Sequence, residues 1–296
     1  MLCKHPIPVN SILVPCGQCM NCRVNKKRIW VTRCALEASC HPYTAFITLT
    51  YDEKNLPKDE NGVAVLNRRD PPLFFKRLRR AGLKFRYFGV GEYGDQTWRP
   101  HYHMLMFGLA PCDHGSGLDC NCKPCRTVRD HWGLGLTSNG VADRGSASYV
   151  AGYVTKKMTS SGDARLEGRP PEYSMMSRVP GIGNLAVWDV ASALLRDFKA
   201  SGPYERKDSD VLAAVDIDGR SMPLGKYLRD VLRVRCGRHK GANQATIDHM
   251  TGEFNGLVMR SVQNDRSVVA QYLSENEAAL VRSQKRYDIF NRSKVL

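Results

Sequence analysis

At 296 residues with 42% hydrophobic content, the chain can bury a core as one large domain or as a catalytic domain with a helical appendage, which excludes a disordered tail. Lys plus Arg number 44 against 29 Asp plus Glu, and the resulting charge of +15 points to an anionic partner, nucleic acid before any other. No stretch approaches the roughly 18 uninterrupted apolar residues of a membrane helix, and the first residues show no apolar block with a small-residue cleavage site, so a cytoplasmic protein without a membrane partner is expected.

Eleven cysteines, odd in number and closely clustered, fit metal binding or free thiols in a reducing compartment better than disulfide staples. The first group, Cys3, Cys16, Cys19 and Cys22, has spacings compatible with a structural zinc that locks the N-terminal loop onto the next helix. Reduced thiols and disulfides are the alternatives. That helix is read over residues 23–33, where Val24, Ile29, Trp30 and Val31 alternate with Lys26, Lys27 and Arg28. Residues 46–51, β-branched and aromatic, predict a strand that leaves into a loop at Asp52, with Pro57 and Asn61-Gly62 beyond.

Pro71-Pro72 opens a helix through residues 73–80 that stops at Gly82, and strands are predicted over 85–92 and 101–108. Residues 111–147 read as a Cys- and Gly-rich insertion of poor periodicity. Within it Cys112, His114, Cys120, Cys122 and Cys125 form a second, less regular zinc candidate, with reduced cysteines as the alternative. A short helix is expected from Ser148 to near Met158, a loop or linker over 162–183, and mostly helical segments, such as 185–199 and 227–235, over 185–296. The expected fold class is α+β, a central antiparallel sheet with flanking helices, divided into a domain over 1–183 and a mainly helical region over 184–296.

His101-Tyr102-His103 begins an apolar strand, and strand alternation puts both histidines on one face and Tyr102 on the other. Two imidazoles plus a carboxylate suit a divalent ion that polarises a phosphate oxygen, with Glu92 on the preceding strand as the nearest carboxylate and Asp95 in reserve. Two ordinary surface histidines are the alternative. Tyr149, Tyr153 and Lys156 share one face of the following helix. A tyrosine hydroxyl can attack a phosphodiester and conserve the bond energy as phosphotyrosine, with Lys156 orienting the phosphate. A packing stripe is the alternative for the two tyrosines. Arg23, Lys26, Lys27, Arg28, Arg33, Lys76, Arg77, Arg79 and Arg80 are candidate phosphate contacts, and Trp30, Trp98 and Tyr102 candidate base-stacking residues, with solvated helix faces and core packing as the respective alternatives. Cys34, Cys40 and Cys236 read as small apolar side chains.

In this order the motifs resemble the HUH endonucleases, and among them the replication initiators of microviruses, particularly the gokushovirus-like single-stranded DNA phages. Residues 46–51 match the family's first motif, 99–103 its metal motif, and Tyr149, Tyr153 and Lys156 its two-tyrosine motif; residues 177–183 resemble a segment that follows them in this branch. The resemblance implies cleavage of single-stranded DNA at a replication origin, a 5'-phosphotyrosine link with a free 3'-hydroxyl, and alternation of two tyrosine nucleophiles. It also implies Mg or Mn at His101 and His103, with the third ligand variable across the family. The sequence lacks a G-x-x-x-x-G-K-[ST] loop, so a host helicase, and a host polymerase with it, is expected to assist. Two rivals remain at this stage: a relaxase or single-strand transposase with the same chemistry, and a non-enzymatic zinc-containing nucleic-acid-binding protein.

Overall fold

The computed structural model describes residues 2–115, 120–153, 162–200 and 210–292. The chain forms two compact units, Trp30–Asp189 being one and Met1–Ile29 with Val190–Leu296 the other. In chain order, a hairpin of β1 (Ile7–Val9) and β2 (Ile12–Val14) precedes helix α1 (Met20–Ala38). Strand β3 (Thr44–Leu49), helix α2 (Asp70–Arg80) and the antiparallel pair β4 (Arg86–Tyr93) and β5 (Pro100–Phe107) follow. Next come helix α3 (Lys123–Trp132), strand β6 (Thr137–Val141), helix α4 (Arg144–Tyr153), strand β7 (Tyr173–Met176) and helix α5 (Ala186–Ala200). A hairpin of β8 (Ala214–Ile217) and β9 (Arg220–Pro223) leads to helices α6 (Gly225–Arg235), α7 (Gln244–Gln263), α8 (Val268–Glu275) and α9 (Glu277–Arg292). Among the described residues no helix is long and apolar enough to cross a membrane.

The architecture is α+β as expected: a five-stranded antiparallel sheet in the order β6-β3-β5-β4-β7 carries helices on both faces. One face is closed. Ile47 and Leu49 of β3 and Tyr102, Met104 and Met106 of β5 pack against Phe74, Phe75 and Leu78 of α2 and Val128 and Trp132 of α3. Burying side chains of this size contributes about 1.5–3 kcal/mol each, so this face supplies most of the unit's stability and leaves the opposite face free for polar groups. Gly89 and Gly91 of β4 lie opposite Met104 and Tyr102 in register. A Cβ on Gly89 would sit 2.7 Å from Met104 Cγ, and one on Gly91 3.0 Å from Tyr102 Cε1, so the glycines make room for the large β5 side chains.

Two segments that read as irregular in the sequence are strands of the central sheet. Within residues 111–147, β6 pairs with β3 from Leu49↔Thr137 to Ala45↔Val141, and α3 buries Cys125, Val128 and Trp132. Its Thr-Ser-Asn-Gly-Val sequence shows no apolar alternation because the strand buries polar residues, Thr137 and Asn139, at the sheet edge. Within residues 162–183, β7 pairs with β4 at the opposite edge. An edge strand has one partner and half its surroundings in solvent, so its pattern is weak.

The segment 177–183 is held to α1 by a buried carboxylate. Glu37 is fully buried; its Oε2 accepts the Gly183 N–H at 2.6 Å, and its Oε1 pairs with Arg86 and lies 3.2 Å from His41 Nε2. Arg33 Nε donates to Ile182 O at 3.0 Å.

Candidate metal and tyrosine site

The open face of the sheet carries the two histidines of β5 next to Glu92 of β4, because Glu92 and His101 are directly paired residues of neighbouring strands. Glu92 Oε1 lies 3.0 Å from His101 Nε2 and 3.2 Å from His103 Nε2, with the carboxylate almost fully buried. Asp95 stands apart, exposed in the turn after β4. The far side of each imidazole is also fixed: His101 Nδ1 faces Arg99 O at 3.1 Å, and His103 Nδ1 faces Thr48 Oγ1 at 2.9 Å. A carbonyl only accepts, so a neutral His101 carries its proton on Nδ1 and turns the Nε2 lone pair toward Glu92. Two acceptors 3.0 Å apart need a cation between them, a second proton or a metal ion. The donor set, with outer partners orienting both rings, therefore fits a divalent ion.

Helix α4 brings the tyrosines to the same place. Their four-residue spacing stacks them on one helix face. Tyr149 OH lies 3.4 Å from His103 Nε2, and Tyr153 OH donates to Tyr149 OH at 2.7 Å. Phe46 packs beside His103 and against the edge of Tyr149, with ring centroids 5.8 and 6.1 Å apart. Burial raises both phenol pKa values, and the negative charges of Glu92 and Asp95 raise them further. The Tyr153 hydroxyl opposes this at Tyr149, where its hydrogen bond favours the phenolate. Lys156 lies outside the described residues.

Three residues that sequence reasoning missed shape the site: Thr48, Arg99 through its carbonyl, and Phe46. Thr48 carries a recognisable signal, since the strand 46–51 interrupts its apolar run with a threonine on the side of Phe46. Tyr102 does not stack on bases. It is fully buried, donates to Asn67 O at 2.7 Å and lies 2.9 Å from Tyr51 OH, because strand alternation turns it into the closed core. Trp30 stacks on Phe88 at 4.7 Å and Trp98 packs on Tyr93 at 6.1 Å. Arg77 is no phosphate contact either, since it donates to the carbonyls of His131 and Trp132 at the end of α3.

The cysteines gather in two groups of four, Cys3 with Cys16, Cys19 and Cys22, and Cys112 with Cys120, Cys122 and Cys125, each with its sulfurs within 4.8 Å of one another. Sulfur separations of 3.9 Å (Cys3, Cys19), 4.0 Å (Cys16, Cys22) and 3.8 Å (Cys122, Cys112) are too long for disulfides. They match the roughly 3.8 Å between thiolates of tetrahedral zinc with bonds near 2.3 Å. His114 stays outside the second group, exposed, with Nδ1 3.6 Å from Cys120 Sγ. Burial raises the Cys19 thiol, yet backbone N–H groups of Lys4 and Cys22 and the neighbouring thiols bring it down to about 6. The Asp113 N–H does most to bring Cys122 to about 6. Burial and adjacent thiols push Cys22 and Cys125 the other way, a conflict that a bound dication removes. Cys34 is buried, and Cys40 and Cys236 are half-buried.

A family model described as a replication-associated protein of the ORF2 type matches residues 44–158, the stretch from β3 through α4. The chain is 35% identical over 166 residues to the replication-associated protein VP4 of Bdellovibrio phage phiMH2K, covering 52% of this chain and 51% of that protein. It is 31% identical over 224 residues to the replication-associated protein ORF2 of Spiroplasma virus 4, covering 72% and 66%, and 30% identical over 166 residues to the replication-associated protein ORF4 of Chlamydia phage 1, covering 52% and 40%. The matched part of the chain thus spans less than two thirds of these relatives. No solved structure matches it.

Proposed function

We propose, for a chain that belongs to the ORF2-type family of replication-associated proteins, that it is a rolling-circle replication initiator that nicks and rejoins single-stranded origin DNA through a 5'-phosphotyrosine. The observation that carries the reading is the contact between two phenols and a two-histidine, one-carboxylate donor set, Tyr149 OH being 3.4 Å from His103 Nε2. In this reading Glu92, His101 and His103 hold a Mg or Mn ion, which supplies Lewis-acid polarisation of a non-bridging phosphate oxygen. Tyr149 attacks the scissile phosphorus in line; the new Tyr–O–P bond replaces the P–O3' bond, and the leaving 3'-oxygen takes up a proton.

The hydrogen bond from Tyr153 favours Tyr149 as the first nucleophile, because it stabilises phenolate oxygen there and leaves Tyr153 protonated. Tyr153 serves in the second, rejoining transfer, and Lys156 orients the phosphate. Each four-cysteine group holds a structural zinc. The protein acts in the cytoplasm of a bacterial host, on single-stranded DNA, with host helicase and polymerase.

The test is a denaturing gel of the protein incubated with Mn and labelled single-stranded fragments tiled across the DNA molecule that carries its gene. A covalent protein–DNA band is expected from the wild type. Loss by at least a hundredfold is expected for His103→Ala, and complete loss for the double Tyr149→Phe/Tyr153→Phe variant. Binding of DNA without any covalent band, with Mg or Mn, overturns the enzyme reading in favour of a zinc-containing DNA-binding protein.

A further inference from the structure

Away from the tyrosines, the β7 edge of the sheet carries a groove of about 670 Å³ between that strand and α2. Four arginines line it, Arg68, Arg79, Arg86 and Arg178, and no carboxylate does. Arg86 is committed to Glu37. Arg68, Arg79 and Arg178 are exposed, and among the described residues none of them has a carboxylate within salt-bridge distance. Two are braced on aromatic rings: Arg68 lies 4.3 Å over Tyr173 and Arg79 lies 4.7 Å over Phe85, while Tyr87 stacks on Phe75 at 4.1 Å. A guanidinium held flat on a ring keeps its N–H edge outward, and the half-buried rings of Tyr87 and Tyr173 offer π-faces beside it.

The register ties this groove to the catalytic face. Tyr173 pairs with Gly91, the neighbour of Glu92, so one end lies level with the donor set, two strand spacings or about 10 Å across the sheet from β5. From there the lining follows β4 back to Arg86, five residues or about 17 Å.

We infer that this groove binds single-stranded DNA flanking the scissile phosphate, its arginines on phosphates and its rings on bases. The inference rests on the nicking reading, which supplies a single strand on the neighbouring face. Alternation of cations and π-faces is what a flexible polynucleotide needs and an acidic peptide does not, since only the nucleic acid presents bases to stack. The groove would hold the strand in place while the tyrosines exchange bonds, a role distinct from the metal site.

The experiment is fluorescence anisotropy of labelled oligo(dT) with the full chain across a salt titration. The triple variant Arg68→Gln/Arg79→Gln/Arg178→Gln is expected to bind at least tenfold more weakly, with a slope of log affinity against log salt shallower by about 2, from three lost phosphate contacts at about 0.7 each. The single Arg178→Gln variant, changed at an exposed side chain, guards against misfolding and is expected to lose about 0.7 of slope. Wild-type affinity and slope in Arg178→Gln and in a folded triple variant overturn the groove while leaving the covalent-band result, and so the nicking reading, intact. Failure of the wild type to bind oligo(dT), together with no covalent band, removes both.

Discussion

Glu92, His101 and His103 stand on adjacent strands of a hydrogen-bonded sheet, whereas the eight clustered cysteines stand in the N-terminal segment and in the segment between β5 and α3 with its first turn. Backbone pairing sets the spacing of the first group, and Thr48 and the Arg99 carbonyl set its ring orientations, so it is assembled before any ion arrives. The cysteine segments have few apolar side chains to bury, and what draws their ends together is the ligand set itself. A site on a sheet can release and rebind an ion without changing shape; a site in a loop makes the metal part of the fold.

The largest effect that separates the two follows from metal removal. Structural zinc contributes on the order of 10 kcal/mol to the segment it organises, so a strong chelator should open both cysteine segments while the central sheet stays protected. Hydrogen exchange followed by mass spectrometry reads this directly, and elemental analysis should find two zinc ions in the wild type and one in either Cys19→Ser or Cys122→Ser. Protection of the cysteine segments that is indifferent to the chelator would break the comparison.

The next effect belongs to the unit that needs no zinc. Glu37→Ala leaves Arg86 buried without its carboxylate and frees the Gly183 N–H, which should cost about 3–5 kcal/mol in a urea melt. Zinc content should not change. A loss under about 1 kcal/mol would show that the closed hydrophobic face alone fixes the sheet.

The smallest effect tests whether charge can replace metal in holding a loop. Before β8, Asp210 accepts from Arg233 Nε at 2.8 Å and from the Val211 N–H at 2.8 Å, and it also pairs with Arg229. The Arg233 hydrogen bonds hold its carboxyl at about 2 against an ordinary 3.8. Because the folded value is the lower one, the stabilisation is complete above about pH 4 and disappears as pH falls through about 2. Melting curves across that window should flatten for Asp210→Asn relative to wild type. Parallel curves for the two proteins would assign the acid sensitivity to other carboxylates.

The signals that were legible were local and periodic. Strands β3, β4 and β5 and helix α2 announce themselves by β-branched runs, by Pro71-Pro72 and by Gly82, and the placement of His101 and His103 on one face needs only strand alternation. The edge strands β6 and β7 were hidden because each satisfies one partner and solvent, and Thr-Ser-Asn-Gly-Val and Tyr-Ser-Met-Met carry no strong alternation. The roles of Tyr102 and Arg77 were hidden for another reason: an aromatic or a cation reads the same in a sequence whether it faces DNA or its own chain.

The amino-acid sequence by itself determined the types and order of the chemical groups, since residue spacing along a strand or helix turns directly into a shared face. Only the tertiary structure decided which groups meet. Glu92 rather than Asp95 joins the histidines through strand register, Thr48 reaches His103 across 55 positions of chain, and Cys112 gathers three cysteines but leaves His114 out. Those choices rest on pairing and packing between distant segments, which no local pattern encodes.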